Sequence, residues 1–316
     1  MAQLVSVVIP CYNADRWIGK AIQSCLDQSY RPIEVVVIDD GSDDNSLPII
    51  KENVGSHPDV IRWTTQPNQG APAARNRGLT LANGEFIFFL DADDYLHERA
   101  IEHLVGALQN ETDFIYGNLS LVDAEEKVIG VREQSPVSED WVVAMMEKAP
   151  ITSSVLLRRK ITDACKWNTT LPCAQEFAFF VDVALKGFRA GYLPLVVTSH
   201  RCHSSPSRIT TNTHDKLADV LASLFLGFEQ RLIGSGEYYQ NRRVSINAAF
   251  LHMALSLRRN RDPSSAKKLY AKVDKALLPK SLGFRYLSYD GLTWIANLEV
   301  SYAIWKGRNW LAALFH

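Results

Sequence analysis

Phe86-Ile87-Phe88-Phe89-Leu90 runs straight into Asp91-Ala92-Asp93-Asp94, and this junction decides the reading of the chain. An unbroken apolar run of that length reads as a buried strand. The carboxylates crowded at its end repel one another, which is costly unless positive charge offsets it. A hard divalent cation is the usual remedy, and Mg²⁺ takes one or two carboxylates together with phosphate oxygens. The junction points to a metal and a phosphate-bearing ligand at the edge of a sheet.

Upstream, strand-like and helix-like patterns alternate. Val5 to Ile9 and Glu34 to Ile38 are β-branched strands, and Val60 to Trp63 is a short one. Between them, Ala14–Gln28, Ser46–Asn53 and Ala71–Ala82 carry apolar residues at helical spacing. Such alternation predicts an α/β fold with a mostly parallel sheet flanked by helices. Ligands of such sheets bind beyond the carboxyl ends of the strands. Polar residues collect there: Pro10-Cys11-Tyr12-Asn13 after the first strand, Asp39-Asp40-Gly41-Ser42 after the second, and Asp91–Asp94 after the fourth. Each alone reads equally as a loop or helix cap; three on one edge indicate a cleft. Downstream, strands are expected at 112–121, 127–132, 153–158 and 193–200, with helices at 141–147 and 176–186. Long amphipathic helices follow at 217–232, 244–259, 264–278 and 293–306.

Composition narrows the function classes. The 316 residues carry a net charge of −1, with 47% apolar and 22% charged residues. That describes a soluble globular protein with no basic field for nucleic acid. The five cysteines are scattered and odd in number, which fits a reducing compartment rather than a disulfide framework. Cys165, Cys173, Cys202 and His203 lack the close pair of a zinc site. The N-terminus enters a strand without signal-peptide features, and no apolar run is long enough to span a membrane. The expected location is cytoplasmic.

Four motifs in order carry a resemblance: Val-Val-Ile-Pro-x-Tyr-Asn at 7–13, Val-Ile-Asp-Asp-Gly-Ser-x-Asp at 37–44, Gly-x-x-x-Ala-Arg-Asn-x-Gly at 70–78, and Asp-Ala-Asp-Asp at 91–94. Over roughly residues 4–210 the chain resembles the family 2 glycosyltransferases of GT-A fold. The resemblance implies transfer of a sugar from a nucleotide diphosphate sugar, usually with inversion, to a glycan or lipid-linked acceptor. It implies a catalytic domain over 1–214, with a nucleotide-sugar half to about 95 and an acceptor half after it. A helical extension over 215–316 lies outside the resemblance. Pro10, Tyr12 and Asn13 would line the nucleotide pocket, with Tyr12 stacked on the base. Asp40 would accept from the uracil N–H, and Asp39 would support that loop. Arg75 would face the base or diphosphate. Gly70 and Gly78 would allow close backbone approach. Asp91 would hold the ribose, with Ala92 beside it. Asp93 would coordinate Mg²⁺ or Mn²⁺, and His203, in Arg201-Cys202-His203, would reach the metal or diphosphate.

The acceptor hydroxyl needs a general base. The family commonly places Glu-Asp at the start of a helix in the acceptor half; here Gln175-Glu176 stands there, and Glu176 is the expected base, with Asp182 in reserve. The alternative for Glu176 is a helix-start acid favoured by the dipole. Two other readings of the whole chain stand beside this one. A strand ending in Asp-x-Asp also opens haloacid-dehalogenase-type phosphatases, but there the motif follows the first strand and continues with Thr or Val, whereas Tyr95 follows here. A nucleotide-sugar-binding protein without catalysis is the other. The Gln-x-x-Arg-Trp motif of processive synthases is absent. The aromatic, basic C-terminus (Trp294, Trp305, Trp310, Lys306, Arg308) fits peripheral contact with a membrane interface or packing against protein. Oligomeric state stays open.

Overall fold

The computed structural model describes residues 2–108, 111–202, 214–259 and 263–277. They form two compact units: Met1–Pro136, Pro150–Thr170 and Asp182–Ser207 in one, and Val137–Ala149, Leu171–Val181 and Arg208–His316 in the other. His203 and the stretch from 278 to 316, including the expected helix at 293–306, lie outside the described residues.

The first unit holds a nine-stranded sheet. Its strands are β1 (Val5–Cys11), β2 (Ile33–Asp39), β3 (Ile61–Thr65), β4 (Phe86–Phe89), β5 (Tyr95–Leu96), β6 (Phe114–Val122), β7 (Val128–Arg132), β8 (Val155–Arg158) and β9 (Ala190–Arg201). They lie in the order β3-β2-β1-β4-β8-β6-β9-β5, with β7 paired to β6. From β3 to β4 every pair is parallel. All residues of β1, β2 and β4 are buried, as expected of parallel strands covered on both faces. β8 then runs antiparallel to both β4 and β6. Apolar periodicity reveals that a strand exists but not its direction, so parallel pairing was legible only where helices alternate with strands.

Three helices cover the parallel half: α1 (Ile18–Leu26), α2 (Ser46–Ser56) and α3 (Ala71–Leu81). The α1 stripe of Ile18, Ala21, Ile22 and Cys25 is buried. This helix starts later than its apolar pattern suggests. Residues 14–17 instead form a turn, with Trp17 and Ile18 N–H donating to the Ala14 carbonyl at 2.8 and 2.9 Å. The short β5, α4 (Ala100–Ala107) and α6 (Arg159–Ala164) were not expected from the sequence. α5 (Trp141–Lys148) and α7 (Gln175–Leu185) lie within two residues of their expected bounds.

In the second unit, α5 is capped by Asp140, whose carboxylate accepts from Val142 N–H at 2.9 Å. Among its described residues are also the helices α8 (His214–Ser235), α9 (Gln240–Arg259) and α10 (Pro263–Tyr270). Arg242 of α9 pairs with Asp140 at 2.8 Å, and Ser245 donates to Glu147 at 2.7 Å. Phe177, Phe225 and Phe228 form an aromatic cluster with centroids 5.3 to 6.1 Å apart. Among the described residues no helix is long and apolar enough to cross a membrane.

All five cysteines are free thiols, and burial pushes Cys11 and Cys25 up to about 12. The tightest approach in the sheet layer is at Gly78, where a Cβ would lie 2.3 Å from Val8 Cγ1. Alanine ordinarily gains about 1 kcal/mol over glycine inside a helix. Here the clash lies inside a packed layer, where overpacking costs about 1–3 kcal/mol. Gly78→Ala should therefore destabilise the protein, which a lower urea midpoint at unchanged slope would register.

Candidate active site

β1 pairs with β4 only as far as Val8↔Phe89, with Leu90 N–H then donating to the Val8 carbonyl. Pro10 comes two residues later and still pairs with Ile38 of β2. A proline has no N–H to give, so it sits where β1 no longer needs one on the β4 side. The strands part here, at the point where the strand order reverses, which is where such sheets bind ligands. Pro10 itself is buried within β1, whereas Tyr12 just beyond it is 43% exposed.

The loops after β1 and β2 are tied together. Asn13 adopts a left-handed backbone at φ 47°, a conformation asparagine tolerates. Its N–H donates to Ser42 Oγ at 3.0 Å, and its Oδ1 accepts from Asp43 N–H at 2.9 Å. Asp39 is buried and accepts from Ser42 N–H and Thr65 Oγ1. Asp40 is buried as well. Its Oδ1 accepts from Gln66 Nε2 at 2.7 Å and Gln69 N–H at 3.0 Å, and its Oδ2 accepts from Gly70 N–H at 2.7 Å. A carboxylate offers about four acceptor positions, so one remains. Gly41 between these loops has φ 78°, and a Cβ there would lie 3.0 Å from Asn68 N; both constraints require glycine.

At the end of β4 each carboxylate has its own surroundings. Asp91 Oδ1 accepts from Arg75 Nη2 at 2.6 Å, and Asp91 N–H donates to Ser153 Oγ at 3.1 Å. Arg75 is 4% exposed on α3, its guanidinium carbon 4.5 Å from the centroid of the Trp167 ring. Ala92 is buried, and Asp93 is half-buried. Asp94 is fully enclosed, its Oδ1 accepting from Arg201 N–H and its Oδ2 3.0 Å from His200 Nδ1. Burial raises the Asp94 carboxyl above its ordinary value, while His200 opposes the rise. Arg201 is 1% exposed; its Nε donates to the Asp93 carbonyl at 3.1 Å, its Nη2 pairs with Glu126, and its guanidinium stacks 4.0 Å over Trp17.

Among the described residues no group of three or more His, Cys, Asp or Glu is arranged to hold a metal by itself. Asp91 and Asp94 are engaged by Arg75 and by His200 and Arg201. This donor set fits a cation shared between Asp93 and phosphate oxygens, the mode Mg²⁺ prefers, and not an all-protein cage. His203 lies outside the described residues.

In the second unit Glu176 sits half-buried in the first turn of α7. Ala174, two residues before it, has φ 57°. A left-handed alanine costs about 1–2 kcal/mol, and such strain is typically found where a turn must present a particular residue. Asp182 is within hydrogen-bonding reach of Lys186, at 3.2 Å.

The sequence profile of Glycosyl transferase family 2 matches residues 6–188. The chain belongs to this family. Its GT-A fold carries three of the four motifs at the carboxyl ends of β1, β2 and β4, and the fourth, Gly70–Gly78, at the start of α3. An uncharacterized glycosyltransferase of Haemophilus influenzae is 34% identical over 180 residues, covering 57% of this chain and 71% of its own. The Escherichia coli UDP-Glc:alpha-D-GlcNAc-diphosphoundecaprenol beta-1,3-glucosyltransferase WfaP is 29% identical over 237 residues, covering 73% of this chain and 90% of its own. Against several other curated glycosyltransferases the chain spans 33–55% of their length. Two solved structures share the fold. Staphylococcus aureus TarS, in complex with UDP-GlcNAc, aligns at TM-score 0.60 and 16% identity over 85% of this chain and 84% of its own. The Pyrobaculum calidifontis mannosyltransferase PcManGT, in complex with GDP-Man and Mn²⁺, aligns at 0.54 and 19% over 95% and 86%.

Trp167, Asn76 and His200 were not singled out from the sequence, and Asp94 only as one carboxylate of the Asp91–Asp94 cluster. Asn76 stands in the Ala-Arg-Asn motif and Asp94 in Asp-Ala-Asp-Asp, so the only available signal was their neighbours. The Asp40 anchorage has a direct consequence. Asp40→Asn would turn an NH₂ toward one of the donors from Gln66, Gln69 or Gly70. A stability loss of about 1–3 kcal/mol is expected, read as a lower midpoint of urea unfolding.

Proposed function

We propose that this family 2 glycosyltransferase moves a sugar from a nucleotide diphosphate sugar, with UDP as the nucleotide, to a hydroxyl of a glycan or lipid-linked acceptor with inversion. The observation that carries the reading is the carboxylate cluster at the end of β4, with Arg75 fixed against Asp91, at the point where β1 and β4 part. The nucleotide half of the reading is supported by Tyr12, exposed for stacking, and by the acceptor position left on Asp40 for a ring N–H. TarS and PcManGT are solved with UDP-GlcNAc and GDP-Man. The acceptor class is supported by WfaP, whose name gives a diphosphoundecaprenol-linked acceptor, and so is a role in lipid-linked polysaccharide assembly.

The chemistry follows from where charge develops. Breaking the anomeric C–O bond leaves negative charge on the diphosphate, and donors fixed in advance stabilise it without reorganising. Arg75 is such a donor, held from its edge by Asp91 and on its face by Trp167. Mg²⁺ or Mn²⁺ at Asp93 would supply Lewis-acid charge on the leaving group. Arg201 donates to the Asp93 carbonyl and so fixes the main chain at that residue. Inversion requires the acceptor to attack from the face opposite the leaving group, with its proton passing to a base. Glu176 takes that role, presented by the turn at Ala174.

Calorimetric titration with UDP tests the donor site. Binding should be measurable with Mn²⁺, should weaken in EDTA, and should be lost in Asp93→Ala; equal binding by Asp93→Ala would remove the metal assignment. GDP and dTDP in the same titration decide the nucleotide.

The base is tested with UDP-sugar hydrolysis or transfer. Glu176→Gln should lower kcat by about 10²–10⁴ with UDP affinity retained. An unchanged kcat would exclude Glu176 and turn attention to Asp182.

A further inference from the structure

Arg75 and Asn76 are adjacent on α3, and each reaches toward the same distant residue. The Arg75 guanidinium lies over the Trp167 ring at 4.5 Å. The Asn76 side chain grips the Trp167 main chain from both sides: Asn76 Nδ2 donates to the Trp167 carbonyl at 2.8 Å, and Trp167 N–H donates to Asn76 Oδ1 at 3.0 Å. The ring is also met by Phe89, edge to face at 5.3 Å and 89°. Phe89 ends β4 and stands two residues before Asp91. Thus the two elements that carry the Arg75–Asp91 pair, α3 and β4, are the same two that hold Trp167.

This arrangement constrains Arg75 more than an ion pair alone would. Asp91 holds one edge of the guanidinium through Nη2, and an aromatic face beneath it fixes the plane. Trp167 is 2% exposed, so the stacked charge is shielded from water, where a cation–π contact is strongest. Arg75 Nε is buried and has no acceptor among the described residues. A buried guanidinium nitrogen left without a partner is costly, and its retention suits a group set for an incoming anion more than one set for stability.

We infer that Trp167, held in place by Asn76, is a positioning residue that sets the Arg75 guanidinium for the diphosphate of the donor, and so governs donor affinity. The inference rests on the reading of Arg75 as a donor-site residue. A ring that merely filled space would support the fold without acting through Arg75.

A double-mutant cycle separates the two, using calorimetric titration of UDP with Mn²⁺ alongside thermal unfolding. Trp167→Leu should weaken UDP binding about tenfold, the range a desolvated cation–π contact commands, with Trp167→Phe largely restoring it. Asn76→Ala should fall between. In an Arg75→Lys background, which lacks the planar face, Trp167→Leu should add less than about twofold, because residues acting as one unit are not additive. With donor sugar, KM should rise and kcat should fall as well, because the charge that Arg75 meets grows as the anomeric bond breaks. If Trp167→Leu lowers the melting temperature but binds UDP normally, or weakens binding equally in both backgrounds, the ring serves the fold and the inference fails. If Arg75→Lys itself leaves UDP binding unchanged, the donor-site reading of Arg75 fails, and the inference falls with it.

Discussion

Crowded negative charge is the constraint around which the first unit is arranged. Asp39, Asp40, Asp91, Asp93 and Asp94 all stand at the carboxyl ends of β2 and β4. Most of their carboxylates are settled by a different device. Asp39 takes a hydroxyl and a backbone N–H, and Asp40 takes two backbone N–H groups and an amide. Asp91 takes a guanidinium, and Asp94 an imidazole and the Arg201 N–H. The donors come from β3 and the loop after it, from α3 and from β9, so settling the charge also ties these elements to the ends of β2 and β4. Helix packing at Gly78, the parting of β1 from β4 at Pro10 and the turn at Gly41 all serve to bring those donors within reach.

Much of this edge was legible in the sequence, and the reason is local. Continuous apolar runs marked β1, β2 and β4, and turn residues marked where they end. The motifs named Asp39, Asp40, Arg75, Asp91 and Asp93 by the ligand chemistry they imply. What the sequence could not disclose was who holds whom. Trp167 lies 91 positions from Asn76, and Arg201 lies 107 from Asp94; no periodicity connects such partners. β5 escaped notice for a similar reason: two residues make a strand only because Ser199 and Thr198 of β9 lie opposite. The reversed direction of β8 is likewise a property of topology and not of composition.

The carboxylates of Asp91–Asp94 illustrate a division that residue type hides. Asp91, Asp93 and Asp94 look equivalent on paper. In the fold Asp94 is enclosed and acts as an internal anchor, binding the strand that follows to the end of β9. Asp91 is paired directly with Arg75 of α3. Asp93 lies between them, half-buried, its carbonyl accepting from Arg201 Nε. Identical side chains thus acquire separate duties through burial and donor supply alone.

The Asp140–Arg242 pair carries a consequence for how the chain matures. Its partners are 102 residues apart in sequence, and Glu147 and Ser245 are 98 apart. The βαβ repeats from β1 to β4 close within the first ninety residues, through contacts near in sequence. The α5 segment leaves the ribosome about a hundred residues before the helix that neutralises its cap. Until then α5, whose Val142, Val143 and Met145 are buried in the folded protein, lacks its packing against α9. Long-range closure of this kind is slow and prone to association. The nascent chain is therefore open to association in that interval, after the sheet's parallel half has formed and before α9 arrives.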